Sequence, residues 1–273
     1  MQDFNNKVVA ITGGATGIGF ALAKSLGTEG AKIIIGGPRQ EMLDAAIAQL
    51  NELGIEAIAT PLDVADLASV EAFADTAWGH FGRVDVLINN AGISGGRGLI
   101  HKVDMAEARM VFHVNFFGIW HGCAVFSGRM IEQGTPAAIY NLGSENSLFV
   151  AVPQSVAYVA SKHAVLGLSE SLRDDLPDFI HIGTIFPGYV ETPLTAQAEG
   201  GMDADTFADI VKQQMHDGAH LIVSHSYNMV RIDQRHDELA KAYATYAPRY
   251  EGDDEYDVGT MIAKRKQARK QQS

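Results

Sequence analysis

Seven short runs rich in β-branched residues recur along the chain, at 7–12 (KVVAIT), 31–36 (AKIIIG), 55–60 (IEAIAT), 84–89 (VDVLIN), 137–142 (AAIYNL), 180–186 (IHIGTIF) and 219–224 (AHLIVS). Between and after them lie longer segments of helical period, at about 17–29, 39–53, 66–80, 104–133, 155–176, 203–216 and 229–246. Strands this apolar on successive residues have no wet face, so they belong to a parallel sheet covered on both sides by the intervening helices. The pattern predicts an α/β, Rossmann-like, doubly wound seven-stranded parallel sheet in the order 3-2-1-4-5-6-7. It forms a single domain over 1–247, followed by a charged tail over 248–273. That tail passes from an acidic patch (Glu251, Asp253, Asp254, Glu255, Asp257) into a basic one (Lys264, Arg265, Lys266, Arg269, Lys270). It reads as solvated or partly disordered, or as ordered on a neighbouring subunit.

Bulk properties narrow the function classes. With 33 acidic against 21 basic residues the net charge is -12, which repels a phosphate backbone, so no nucleic-acid partner is expected. The single cysteine, Cys123, lies in an apolar helical segment and reads as an inert core thiol. No uninterrupted apolar run reaches the roughly 18 residues of a membrane span, and Met1–Asn6 is polar, so a cytoplasmic protein without a membrane partner is expected. The 10 histidines contain no HExxH, and the helix-like pair His216 and His220 is interrupted by Gly218, so no metal site is expected.

Directly after the first strand, residues 12–19 read TGGATGIG and lead into the apolar helix FALAKSL. Gly13 and Gly17 allow a sharp turn and close approach of a ligand, and Gly19 allows tight helix packing. The helix amino terminus offers free N–H groups to a pyrophosphate. A dinucleotide fits this arrangement; a purely structural glycine turn is the alternative, because the spacing is not GxGxxG.

A second constellation lies downstream. Tyr158 and Lys162 stand four apart at the start of a helix, one turn apart on one face. An ammonium beside a phenol, with a positively charged nicotinamide, favours the phenolate and makes the tyrosine a proton exchanger at neutral pH. In isolation such a pair is commonplace and more often a surface pair. The preceding strand ends in Asn141-Leu142-Gly143-Ser144, and strand carboxyl ends are where open α/β sheets present ligand-binding groups. The Ser144 hydroxyl is suited to donate to a substrate oxygen as negative charge develops there, although a strand-end cap uses the same residue.

Together these motifs resemble the short-chain dehydrogenase/reductase family over about residues 7–225, with Thr12, Gly13, Gly17, Ile18 and Gly19 matching its TGxxxGIG loop. The resemblance implies that Asp63 and Val64 contact adenine and that Asn89-Asn90-Ala91-Gly92 matches the NNAG motif bracing the sheet and lining the cofactor site. By the same resemblance Asn115 holds a proton-relay water, Ser144 stabilises the reacting oxygen, Tyr158 is the acid/base, and Lys162 binds the ribose and lowers the tyrosine pKa. Pro187, Gly188, Val190 and Thr192, in PGYVET, resemble the nicotinamide clamp. The implied activity is NAD(P)-dependent interconversion of a secondary alcohol and a ketone. Two rivals are a catalytically silent dinucleotide-binding regulator and a nucleotide-sugar epimerase or dehydratase.

The chain departs from the family pattern in two places. Ser144 to Tyr158 is one residue longer than the commonest spacing, which makes Glu145 a positional rival that lacks a hydroxyl. Ser224-His225-Ser226 replaces the Asp-Gly-Gly that often follows the seventh strand.

At the end of the second strand, where an acid would bind the ribose of NAD, stands Gly37, and Arg39 follows. Room for a 2'-phosphate beside a guanidinium favours NADP(H) over NAD(H), against which stand Pro38 and Thr16 at positions where many NADP-using relatives carry a base. Leu148, Phe149, Val150, Tyr189, Leu194, Met202 and Phe207 suggest a mainly hydrophobic substrate. A homo-dimer or homo-tetramer is expected through the helices at 104–133 and 155–176, with Met110, Phe117, Trp120, Val165, Leu168 and Leu172 as the candidate surface.

Overall fold

The computed structural model describes residues 3–195 and 200–271, with side chains as far as residue 265. The strands are β1 (Val8–Thr12), β2 (Lys32–Gly37), β3 (Ala57–Pro61), β4 (Val86–Asn89), β5 (Ala137–Leu142), β6 (Ile180–Phe186) and β7 (Leu221–Val223). Every pairing is parallel, in the order β3-β2-β1-β4-β5-β6-β7, as the sequence predicts. The helices are α1 (Gly17–Gly27), α2 (Gln40–Glu52), α3 (Leu67–Phe81), α4 (Met105–Phe112), α5 (Gly118–Gln133), α6 (Val156–Asp175), α7 (Ala204–His216), α8 (Asn228–Tyr246) and α9 (Val258–Gln271).

The two-residue period of the strands divides the core. Val9, Ile11, Ile33 and Ile35 face a layer built from α1, α2 and α7, with Leu22, Leu26, Leu43, Leu50, Phe207 and Val211. Val8, Ala10 and Ile34 face the opposite layer of α3, α5 and α6, with Val70, Phe73, Ile119, Phe126, Met130 and Val165. Sliding a central strand by one residue would exchange these two sets, which pins the register.

α4 and α5 form one helix interrupted by a π turn over His113–Phe117. This helix, Met105–Gln133, spans 29 residues and contains an 18-residue window of mean hydropathy 1.2, so it is long and apolar enough to cross a membrane by length and composition, although polar and charged residues interrupt its apolar run as expected. Its second half buries Ile119, Cys123, Phe126 and Met130 against the sheet, which is how a core helix meets the same criterion. The candidate pairing surface needs correction. Met110, Phe117 and Trp120 are exposed, and Leu168 and Leu172 are partly buried, but Val165 is fully buried because it faces the sheet.

The chain forms two compact units, Met1–Asn228 and Met229–Ser273. The sheet and α1–α7 belong to the first; the second contains α8 beyond its first residue, a short 3-10 turn at Asp253–Tyr256, and α9. The tail is thus helical over Val258–Gln271 where its composition suggested a solvated or partly disordered segment. Few apolar residues break its run of charge, so the sequence shows no stripe from which to read a helix. The side chains of Lys266, Arg269 and Lys270 lie outside the described residues.

Candidate active site

The site begins where β1 meets α1. Thr12 Oγ1 accepts the backbone N–H groups of Asn90 and Ala91, both at 3.0 Å. Asn90 Nδ2 donates to the carbonyl oxygens of Thr12 (2.9 Å) and Gly13 (3.0 Å), so the turn after β1 is tied to the end of β4. Gly13 has φ +65°, and a Cβ added there would stand 2.9 Å from the Ala91 Cα. A Cβ on Gly19 would approach the Gly13 carbonyl oxygen to 2.4 Å, so the packing of α1 onto its own turn admits only glycine. No side chain caps α1, which leaves its first N–H groups directed at whatever occupies the turn.

A cleft of about 470 Å³ runs along this edge of the sheet. Gly37, Pro38 and Arg39 line it at the end of β2, Gly13, Thr16, Gly17 and Ile18 at the turn, and Asp63 and Val64 after β3. Beyond the turn Ala91, Gly92, Ser144, Tyr158, Lys162, Pro187, Gly188, Val190 and Thr192 continue the wall. Gly19 supports the cleft without lining it. Asn89 does not line it either: it is buried, its Nδ2 donates to Asn141 Oδ1 at 2.9 Å, and it packs beside Cys123. Successive residues at a strand end face opposite sides of the sheet, so the asparagine that reaches the cofactor-side turn is Asn90. Cys123 is buried, which pushes its thiol up to about 12 and leaves it inert, as expected.

Asn115 sits in the π turn and is fully buried. Its Oδ1 accepts the Ile93 N–H at 2.8 Å and its Nδ2 donates to the Ile93 carbonyl at 3.0 Å, so it fixes the backbone that follows Gly92. π turns of this kind recur at functional sites because the extra residue redirects a side chain.

The stretch Ser144-Glu145-Asn146-Ser147 closes the other end, and two of its four members, Asn146 and Ser147, escaped the sequence reading. Asn146 donates both its backbone N–H (3.1 Å) and its Nδ2 (3.4 Å) to Ser144 Oγ. With two donors pointing in, the single Ser144 hydroxyl hydrogen is left for Tyr158 or a substrate oxygen. Asn146 Oδ1 also accepts from Ala151 and Val152, holding the loop beyond. Ser147 Oγ donates to the Lys162 carbonyl at 2.7 Å and accepts the Ser144 N–H at 3.2 Å, which locks α6 to the end of β5. Glu145 is no rival to Ser144, since its carboxylate is engaged by the Tyr227 hydroxyl at 2.9 Å.

Burial dominates the electrostatics. It raises the Tyr158 phenol above its ordinary 10.0, opposed by the hydrogen bond from Ser144 and assisted by the negative charge of Glu145. Burial also drives the Lys162 ammonium down from 10.5 to about 8. Lys162 Nζ lies 5.8 Å from the centre of the Tyr158 ring and donates to the Leu142 carbonyl at 2.7 Å.

A family model described as short chain dehydrogenase matches residues 7–202. The chain belongs to the short-chain dehydrogenase/reductase family. A 1-deoxy-11-beta-hydroxypentalenate dehydrogenase of Streptomyces avermitilis is 35% identical to this dehydrogenase over 211 residues, 74% of this chain and 78% of the relative. The crystal structure of a short chain dehydrogenase/reductase from Burkholderia phymatum in complex with NAD is 28% identical, with a TM-score of 0.84 over 89% of this chain and 97% of that one. An actinorhodin polyketide ketoreductase with NADPH is 26% identical, with a TM-score of 0.74 over 82% of this chain and 97% of its own. This short-chain dehydrogenase/reductase is therefore an oxidoreductase acting on CH–OH or carbonyl groups.

In the dehydrogenase, the apolar residues proposed from sequence for the substrate are mostly placed elsewhere. Phe207 and Phe149 are buried, Met202 packs on the core, and of the seven only Leu194 lines the cleft, where Ile93, Val114 and Leu142 join it. Side-chain direction, which composition does not encode, separates these residues. Among the described residues no cluster of metal-ligating side chains occurs. His216 pairs with Glu29 at 2.8 Å and His220 Nδ1 donates to the Ile182 carbonyl at 2.8 Å.

Proposed function

We propose that the enzyme interconverts a secondary alcohol and a ketone of mainly apolar character, using NADP(H) in preference to NAD(H), with Tyr158 exchanging the proton. One observation carries the reading: a single cleft connects the glycine turn and the uncapped start of α1 to Ser144, Tyr158 and Lys162. Turn amides and the α1 terminus suit a pyrophosphate, Asp63 and Val64 suit the adenine, Lys162 suits a ribose, and Pro187, Gly188, Val190 and Thr192 suit the nicotinamide end. The nicotinamide, when bound, supplies the hydride donor or acceptor. Tyr158 gives its phenolic proton to the carbonyl oxygen in reduction and takes it back in oxidation. Ser144 donates a hydrogen bond to that oxygen as charge develops on it. The Lys162 ammonium, 5.8 Å from the ring centre, is the positive charge that favours a phenolate formed there. Ile93, Val114, Leu142 and Leu194 supply the apolar lining. A spectrophotometric panel of apolar secondary alcohols and ketones with both cofactors tests this; absence of any cofactor turnover would favour the silent regulator.

The cofactor preference rests on Gly37 and Arg39, both of which line the cleft. Arg39→Ala is expected to lower kcat/KM with NADP by about 10–100-fold and to leave NAD nearly unaffected, because a charge-assisted contact is worth roughly 1.5–3 kcal/mol. Gly37→Asp is expected to fold normally, since a Cβ there would meet only Leu43 Cδ2 at 3.7 Å. Its carboxylate would repel a 2'-phosphate and bind a ribose hydroxyl, turning the preference toward NAD. Wild-type kcat/KM that is equal or higher with NAD contradicts the assignment.

The subunits are proposed to pair through the helices containing Met110, Phe117 and Trp120, which are 53%, 41% and 49% exposed. Light scattering at micromolar concentration should report a dimer or tetramer, and Trp120→Glu should shift it toward monomer. A wild-type monomer would refute the pairing.

A further inference from the structure

We infer that Ser224–Tyr227, the segment that departs from the family pattern after β7, is a two-armed brace: His225 positions the Pro187–Tyr189 loop and Tyr227 positions the Ser144 turn. The inference rests on the proposed function, because it assigns these residues to the two walls of that site.

The first arm is a histidine fitted against a glycine. A Cβ on Gly188 would lie 2.5 Å from the His225 ring, so ring and backbone are in direct contact. Gly188 N–H donates to His225 Nδ1 at 3.3 Å, and the Ser224 hydroxyl approaches the same nitrogen at 2.7 Å. On the other side Nε2 stands 3.2 Å from the Tyr189 carbonyl oxygen, which can only accept. The hydrogen therefore sits on Nε2, and Nδ1 is the acceptor that holds Gly188. An imidazole in this tautomer grips the loop through both neighbouring peptide groups at once.

The second arm reaches β5. Tyr227 Oη donates to Glu145 Oε2 at 2.9 Å, and the Glu145 N–H donates to the Pro187 carbonyl at 2.8 Å. The two loops are thus joined to each other and each is joined to the brace, with the His225 and Tyr227 rings 5.8 Å apart, edge to face. Glu145 is buried next to Ser144, and among the described residues no ion pair to it occurs, so the Tyr227 hydroxyl is the side-chain donor that orients its carboxylate.

Calorimetric titration of the full-length enzyme with NADPH and with 2'-phospho-ADP-ribose, which lacks the nicotinamide, separates positioning from general loosening. His225→Ala is expected to weaken NADPH about tenfold, the scale of one hydrogen bond, while the truncated ligand changes by less than about twofold. His225→Asn should recover most of the NADPH affinity, because its amide oxygen takes the place of Nδ1 toward Gly188. Tyr227→Phe should lower kcat about tenfold with NADPH affinity retained. Equal weakening of both ligands by His225→Ala, no weakening of either, or unchanged kcat in Tyr227→Phe each overturns the brace while leaving the oxidoreductase reading intact. A wild-type enzyme that binds no nicotinamide dinucleotide overturns both.

Discussion

Tyr158→Phe is expected to lower turnover by about 10²–10⁴-fold while the dinucleotide affinity stays within a small factor of the wild type. The ring remains, so its place in the first turn of α6 and in the cleft wall is kept; the exchangeable proton alone is lost. Around that proton the geometry is one-directional. Asn146 directs two N–H groups at Ser144 Oγ, so the serine hydrogen points away from Asn146, toward the phenol and the reacting oxygen. Burial raises the phenol, so in the wild type the protonated form persists through neutral pH. Ketone reduction, which consumes that proton, should stay flat to alkaline pH, whereas alcohol oxidation, which needs the phenolate, should rise with pH over the same range. Initial rates in both directions across pH check this. A Tyr158→Phe enzyme with near-normal turnover, or oxidation that falls as pH rises through the neutral range, excludes Tyr158 as the proton exchanger.

Lys162→Met should produce a protein that is no less stable than the wild type at neutral pH and nearly inactive. Lys162 is 3% exposed, and its ammonium is driven from 10.5 to about 8, so the folded state resists the charge that the unfolded chain carries freely. Below about pH 8 both states are protonated and the whole cost is present, about 3 kcal/mol by the usual linkage. Between about 8 and 10.5 the unfolded chain binds the proton more than the folded one, so stability rises with pH through that window. Methionine has similar volume and no charge, and it gives up the hydrogen bond from the ammonium to the Leu142 carbonyl, worth about 1.5–3 kcal/mol for an ionised donor. The net gain of about 0–1.5 kcal/mol corresponds to a rise in Tm at pH 7 of no more than roughly 6 °C for a unit of this size, and the variant should lose the alkaline rise. Cofactor affinity and turnover should fall together, because the ribose contact and the charge beside Tyr158 vanish at once. Scanning calorimetry of the ligand-free proteins at pH 7 and pH 10 decides it: a variant less stable than wild type at pH 7 means the ammonium is not a burden on the fold.

The sheet is legible because its strands are short, apolar on both faces and separated by clear helical stretches, and Asn115, Ser144, Tyr158 and Lys162 stand out because motif and spacing mark them. What sequence order does not carry is direction. Asn89 and Asn90 are adjacent in a motif, yet one braces the sheet interior and the other clamps the turn after β1. Val165 and Phe207 have the composition of an interface or a substrate wall, but their position on the helical wheel turns them into the core. Asn146, Ser147 and Tyr227 were missed, and His225 stood out only as a departure from the family pattern, for a different reason: each acts through a contact with a residue distant in sequence or by an unusual local turn, and no spacing rule marks it.

The π turn at His113–Phe117 fixes the length of this helix as a geometric requirement of the molecule. One residue more than an α-helical count lies between α4 and α5, and each residue of an α-helix advances the face by about 100°. Deleting any one of the five would let the helix run on regularly, and everything on one side of the deletion would rotate by that angle relative to the other. Either Ile119, Cys123, Phe126 and Met130 would leave the sheet, or Asn115 would let go of Ile93. Substitutions in this segment leave that phase intact, whereas an insertion or deletion there sets the sheet-facing side of the helix against the Asn115 contact.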